Sequence, residues 1–211
     1  MKKRNPVSAR GSGLIRCFCT LAAVVVFAAN AGADPLKVDD FEGAGNSLGG
    51  RSSTYVMAPS RALALKSETN AHGGAKALLL KYDKKDKGGP YDSGSWCGYY
   101  TLLKGGPRHF DASGYKSITF WVRGEAGGED FVVGVADRHW DEVGDSVKSE
   151  SVTRYLPSGR ITLEWQQATI PLSVFMVETK ELASIAFCFE GSLFPGGAGK
   201  GTVFIDDLKL E

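Results

Sequence analysis

The chain reads as short alternating apolar runs separated by glycine-rich breaks. The runs are LKVDDFE, AKALLLKYD, WCGYYTLL, KSITFWVRG, EDFVVGVAD, EWQQATIPL, LASIAFCFE and GTVFIDDLKL. The breaks between them include GAGNSLGG, KKDKGGPYDSG, KGGPRH, GEAGGED and FPGGAGKG. Successive strand side chains point to opposite faces, so a period of two marks a strand with one packed side. Tight turns need positive φ, which glycine adopts without steric cost. No long stretch keeps a 3.6-residue period, and PLSVFMVETKELAS offers at most one short helical turn. Many short strands with no helices between them predict an all-β antiparallel sandwich or barrel.

Parity within the runs names the core. Ile118, Phe120 and Val122 share one face, as do Phe131, Val133 and Val135, and Ile185, Phe187 and Phe189. These bulky sets belong inside. The opposite faces differ from one another. Thr119, Trp121 and Arg123 are large, whereas Val132, Gly134 and Ala136, like Ser184, Ala186 and Cys188, are mostly small. A face of small residues predicts either a covering loop or a bound ligand. In WCGYYTLL, putting Tyr100 and Leu102 in the core turns Tyr99 outward. Cys97 and Cys188 then both fall off the core face, where a bridge would need neighbouring strands in the right geometry. Large aromatics in a sandwich are usually buried, which assigns Trp121 and Trp165 to the core or its margin.

The first 33 residues have another character. Five basic residues precede the first acid, Asp34, and the apolar run CFCTLAAVVVFAA ends in Ala31-Gly32-Ala33. This is the pattern of a helical secretory signal peptide with a small-x-small cleavage site. The run is short for a membrane-spanning helix. Residues 34–211 would then form one mature domain, secreted or periplasmic, with no membrane contact after cleavage. Removing five cations from 25 Lys+Arg leaves 20 against 24 Asp+Glu, a net charge near −4. That balance argues against nucleic acid as a partner. The three histidines show no ligand spacing for zinc.

Four phrases in order, VDDFE, SITFWVRG, EWQQATIPLSVF and TVFIDDLKL, resemble the galactose-binding-like jelly-roll carbohydrate-binding modules, and the family 11, β-glucan-binding type most of all. The resemblance spans about residues 36–211. It implies an antiparallel β-sandwich with an open cleft for a polysaccharide or oligosaccharide on a concave sheet. It also implies a structural calcium ion, held here by Glu42 of DDFE, Asp206 of FIDD and backbone around Asn70 to Lys76. Calcium takes six to eight hard oxygen ligands. On this reading Asp206 points inward and Asp207 is an ordinary surface residue.

Sugar rings present flat C–H faces and hydroxyls, which exposed aromatic rings and planar polar groups recognise. The candidates are Tyr55, Trp96, Tyr99, Trp140 and Tyr155, with Arg138, Asp141 and Arg154 as polar companions. Family 11 modules use tyrosines at about the places of Tyr55, Trp96 and Tyr155. No carboxylate pair, nucleophile elbow, P-loop or His-Glu-x-x-His motif marks a catalytic centre, so a non-catalytic binder is expected. Separately encoded glycoside hydrolases are its natural partners. A structural or assembly protein that reuses the jelly roll is the alternative.

Overall fold

The structure is a computed structural model that describes Met1 and residues 33–103, 105–106 and 109–211. The signal-peptide expectation falls almost wholly outside the described residues. Eleven strands and one short α-helix follow among the described residues. They are β1 (Leu36–Asp39), β2 (Ser52–Val56), β3 (Arg61–Ser67), β4 (Ala77–Lys84), β5 (Cys97–Leu102) and β6 (Ser117–Gly124). Then come β7 (Val132–Asp137), α1 (Arg138–Val143), β8 (Val147–Ser151), β9 (Gln166–Pro171), β10 (Leu182–Phe189) and β11 (Gly199–Leu210).

The strands form two antiparallel sheets packed as a sandwich. One has the order β3-β4-β11-β6-β9, with β1 also paired to β11; the other has the order β2-β5-β10-β7-β8. The bulky parity sets lie between them. Ile118, Phe120, Val133, Val135, Ile185, Phe187 and Phe189 are fully buried. Phe187 stands edge-on to both Phe120 and Phe131, at 5.2 and 5.5 Å between centroids.

The strands that the alternation leaves unread are edges. β2 (SSTYV) and β8 (VKSES) flank the five-stranded sheet, and β3 (RALALKS) flanks the other. An edge strand has one neighbour and buries less, so its composition stays polar or its inward residues small. The segment PLSVFMVETKELAS holds two 3₁₀ turns, Leu172–Val174 and Thr179–Glu181.

Pairing corrects the parity of β5. Tyr99 lies opposite Phe187 and Tyr100 opposite Ala186. Directly opposed residues share a face, so Tyr99 is core and Tyr100 faces out. Tyr99 is 4 % exposed, and burial pushes its hydroxyl up to about 12. Cys97, opposite Phe189, is likewise core, while Cys188, opposite Gly98, is on the outer face. The two thiols point to opposite sides of the sheet, and both are free.

A bulge corrects the parity of β11. Val203 and Ile205 point to the core, but the next core residues are Leu208 and Leu210. The register shifts between Asp206 and Lys209, and Asp207 takes a left-handed φ of 51°. Aspartate tolerates that conformation better than most residues. One extra residue is thereby absorbed, and neither aspartate enters the core. Asp206 shares the outer face with Phe204 and is buried by the loop of residues 70–76, not by the interior.

Candidate functional site

The outer face of the five-stranded sheet carries a cleft of about 1000 Å³. Its floor is the small-residue face read from parity: Ser184 and Ala186 of β10, and Ala136 of β7. Small floor residues let long side chains lie flat. Tyr55 pairs opposite Gly98, and a Cβ on Gly98 would stand 2.6 Å from the Tyr55 hydroxyl. The ring thus lies over the glycine and packs against the cluster of Val132, Ala186 and Cys188. Burial, then Cys188, pushes the Tyr55 hydroxyl well above its ordinary value. Gly134 gives the same room to Lys148, its partner on β8.

Aromatic rings rise at two rims. On one, the loop before β5 supplies Tyr91 and Trp96, whose centroids lie 6.0 Å apart. Tyr91 is 68 % exposed. Beneath this loop Lys84 is fully buried, and its ammonium donates to the carbonyls of Lys85, Ser93 and Gly197. Burial lowers its pKa, and the three carbonyls tie the loop to the segment before β11. On the other rim stands Trp140 of α1, edge-on to His139 at 5.4 Å. The helix is six residues long and capped at both ends. Asp137 accepts from Trp140 N–H at 3.1 Å, and Gly144 closes it at a φ of 80°. Asp141, also on this rim, lies 3.4 Å from His109 Nε2.

Of the eight residues assigned to binding, four line this cleft: Tyr55, Trp96, Trp140 and Asp141. Four lie elsewhere. Tyr99 is in the core. Arg138 pairs with Glu181 at 2.6 Å, because helical geometry turns it away from Trp140, whose face it would share only in a strand. Arg154 pairs with Glu150 at 2.7 Å, and Tyr155 packs against the core at the end of a 3₁₀ turn. The cleft also includes Tyr91, Tyr100, Lys148 and Glu190. Glu190 continues the parity of Ser184, Ala186 and Cys188, a signal available in the sequence. Lys148 had none, because β8 reads as loop.

Trp121 and Trp165 lie on the other side of the sandwich, neither of them in the buried core. Trp121 is half-buried on the outer face of the six-stranded sheet, with His72 stacked on it at 3.8 Å and 14°. Trp165 meets His72 edge-on at 5.8 Å. The loop bearing His72 is held by the two carboxylates assigned to calcium. Asp206 Oδ2 accepts from His72 and Gly73 N–H at 2.9 and 3.0 Å, and Oδ1 from Asp207 N–H at 2.8 Å. Glu42 Oε1 accepts from Ala75 and Lys76 N–H at 2.7 and 2.8 Å. The carboxylates converge on one loop, as an ion site requires, but the loop offers them N–H hydrogens where a cation needs carbonyl lone pairs. Among the described residues, no group of three or more His, Cys, Asp or Glu could hold a metal ion. As arranged, the donor set is that of an amide clamp and does not fit a calcium cage.

Residues 38–211 match the family model described as Carbohydrate binding domain 30. No curated protein matches the chain. Among solved structures, the fold is similar to a family 11 carbohydrate-binding module of a cellulosomal cellulase of Clostridium thermocellum. That likeness has a TM-score of 0.62 and 16 % identity, over 85 % of this chain and 95 % of that one. A family 11 module from Clostridium thermocellum in complex with a β-1,3-1,4-mixed-linked tetrasaccharide has a TM-score of 0.61 at 15 % identity, over 83 % and 94 %. A family 30 module of a Clostridium thermocellum cellulosomal cellulase has a TM-score of 0.61 at 21 % identity, over 85 % and 98 %. The likenesses agree with the two-sheet fold, and the family match covers nearly all of the sandwich; the chain belongs to the carbohydrate binding domain 30 family, as a non-catalytic carbohydrate-binding module.

Proposed function

We propose that the cleft binds a β-glucan-like polysaccharide chain laid between the two aromatic rims. The supporting observation is the pairing of Trp96 and Tyr91 on one side with Trp140 on the other, across a floor of small residues. Rings at such positions stack on the C–H faces of sugars, and floor polar groups meet hydroxyls. The mixed-linked tetrasaccharide bound by a module of similar fold supports the choice of glycan class. Affinity electrophoresis of the purified protein in gels containing soluble mixed-linked β-glucan tests it. Retardation is expected. Free migration in that gel, and in gels of other β-glucans, would overturn the proposal.

The same reading carries two further proposals. The N-terminal segment directs secretion or periplasmic export, which sequencing of the mature N-terminus would check. Separately encoded glycoside hydrolases act on the glycan that the module holds.

A further inference from the structure

Lys148 and Glu190 stand together on the cleft floor, and neither is explained by packing. Lys148 extends across β7, where a Cβ on Gly134 would come within 3.3 Å of its Cδ and 2.5 Å of Ser146 Oγ. A side chain at Gly134 would have to push Ser146 Oγ aside and crowd the lysine stem. An ammonium has three N–H donors. Two are used locally, on Asp145 Oδ1 at 2.7 Å and on the Ser146 carbonyl at 2.8 Å. A third remains, and Glu190 Oε1 lies 3.7 Å from the nitrogen. That is close enough for charge attraction but too long for a hydrogen bond. Both side chains are part-exposed, at 24 % and 34 %.

A gap of this size has a specific chemical complement. A hydroxyl oxygen can sit about 2.8 Å from both ends, accepting from the ammonium and donating to the carboxylate. A carboxylate ligand would accept from Lys148 but meet Glu190 and Asp145 as like charges. An ammonium ligand would donate to Glu190 but has no lone pair to accept from Lys148, which it meets as a like charge. An ether or ester oxygen could accept but has no hydrogen for Glu190.

We infer that Lys148 and Glu190 form a hydroxyl-reading pair that takes one free ring hydroxyl of a neutral glycan and rejects the same position when it is O-substituted. The inference rests on the proposed glycan binding. The aromatic rims supply sequence-tolerant stacking, and this pair supplies selectivity.

The test is isothermal titration of the full chain with soluble mixed-linked β-glucan and with a partially O-methylated sample of the same polymer. The variants are Lys148→Met, Glu190→Ala and both together. Wild type should prefer the unmodified glucan. Each single variant should bind it about tenfold more weakly, the loss expected for a charge-assisted hydrogen bond. The double variant should be no more than about twofold worse than the weaker single, since one hydroxyl couples both residues. The preference over the methylated polymer should fall toward unity in all three. Melting temperatures identify any variant that has lost its fold, and Glu190→Ala leaves the Lys148–Asp145 pair in place if Lys148→Met does not fold. If wild type binds both polymers equally, or folded variants keep its affinity and preference, the pair does not read a hydroxyl while glycan binding stands. If wild type binds neither polymer, the pair's assignment to a mixed-linked glucan falls, and free migration in gels of other β-glucans then takes the glycan reading with it.

Discussion

The two outer faces of the sandwich carry similar chemistry with opposite outcomes. On the six-stranded sheet, Trp121 and Trp165 are engaged by the protein itself: His72 stacks on one and meets the other edge-on. Asp206 and Glu42 hold the loop that delivers that histidine. On the five-stranded sheet, Tyr91, Trp96 and Trp140 stand around a floor left open, and no loop among the described residues closes over it. Residue type is therefore a poor guide to binding in this fold. What separates a binding ring from a structural one is whether the protein's own chain already occupies its face.

The largest effect should come from the open face. Trp96→Ala and Trp140→Ala should each cost about 2 kcal/mol of glycan affinity, roughly 30-fold, as aromatic anchors do. Removing both should abolish detectable retardation in affinity gels. Trp121→Ala should leave retardation unchanged and lower the melting temperature instead. If Trp121→Ala weakens glycan binding as much as Trp96→Ala, the distinction between the faces is wrong.

Next comes the clamp. Asp206→Ala strands three amide donors, two of them on the loop, and should cost about 2–3 kcal/mol of stability in urea denaturation. Glycan affinity of the folded variant should not change, since the cleft is on the other sheet. The amide contacts also set an expectation for chelation: EDTA should leave the melting temperature of wild type where it is. A fall with EDTA, reversed by added calcium, would instead establish the ion at Glu42 and Asp206.

The core was legible because bulky residues alternate without interruption in β6, β7 and β10, and only one face can bury them. The open floor was legible for the complementary reason, as small residues on the opposite parity. Three things were not. Adjacent Tyr99 and Tyr100 fit either phase of β5 equally well, and only pairing with Phe187 breaks the tie. The β11 bulge is a choice of one left-handed φ at Asp207, which no period reveals. Lys148 reads as a solvated lysine until β8 is known to pair with β7, placing it over Gly134. Each miss is a contact between segments distant in sequence or a local backbone choice.

The smallest prediction separates the faces by acid. Asp137 caps the helix that carries Trp140. Burial opposes its ionisation, but the Glu178 and Trp140 amides together with His139 outweigh burial and hold its pKa below 3.8. The unfolded chain then takes up its proton first as pH falls. Its stabilisation is complete above about pH 3.8 and is lost as pH drops through the lower folded value. Asp206 behaves oppositely: burial outweighs its three amide donors and lifts its pKa above 3.8. The folded form protonates first, so the cost of the buried charge is fully present above the folded pKa and is relieved as pH falls toward 3.8. Asn keeps one capping oxygen but cannot accept from both amides, so Asp137→Asn should cost about 1 kcal/mol at neutral pH, the value of one hydrogen bond. Its deficit against wild type should shrink in acid below about pH 4. Asp206→Asn removes the buried charge but keeps a carbonyl acceptor, and its gain from that removal should fade over the range just above pH 3.8, where wild type becomes protonated. Melting curves for the three proteins across the acid range give both slopes. Parallel curves for wild type and Asp137→Asn would mean that the cap does not hold an ionised carboxylate, and that the open rim is positioned by packing alone.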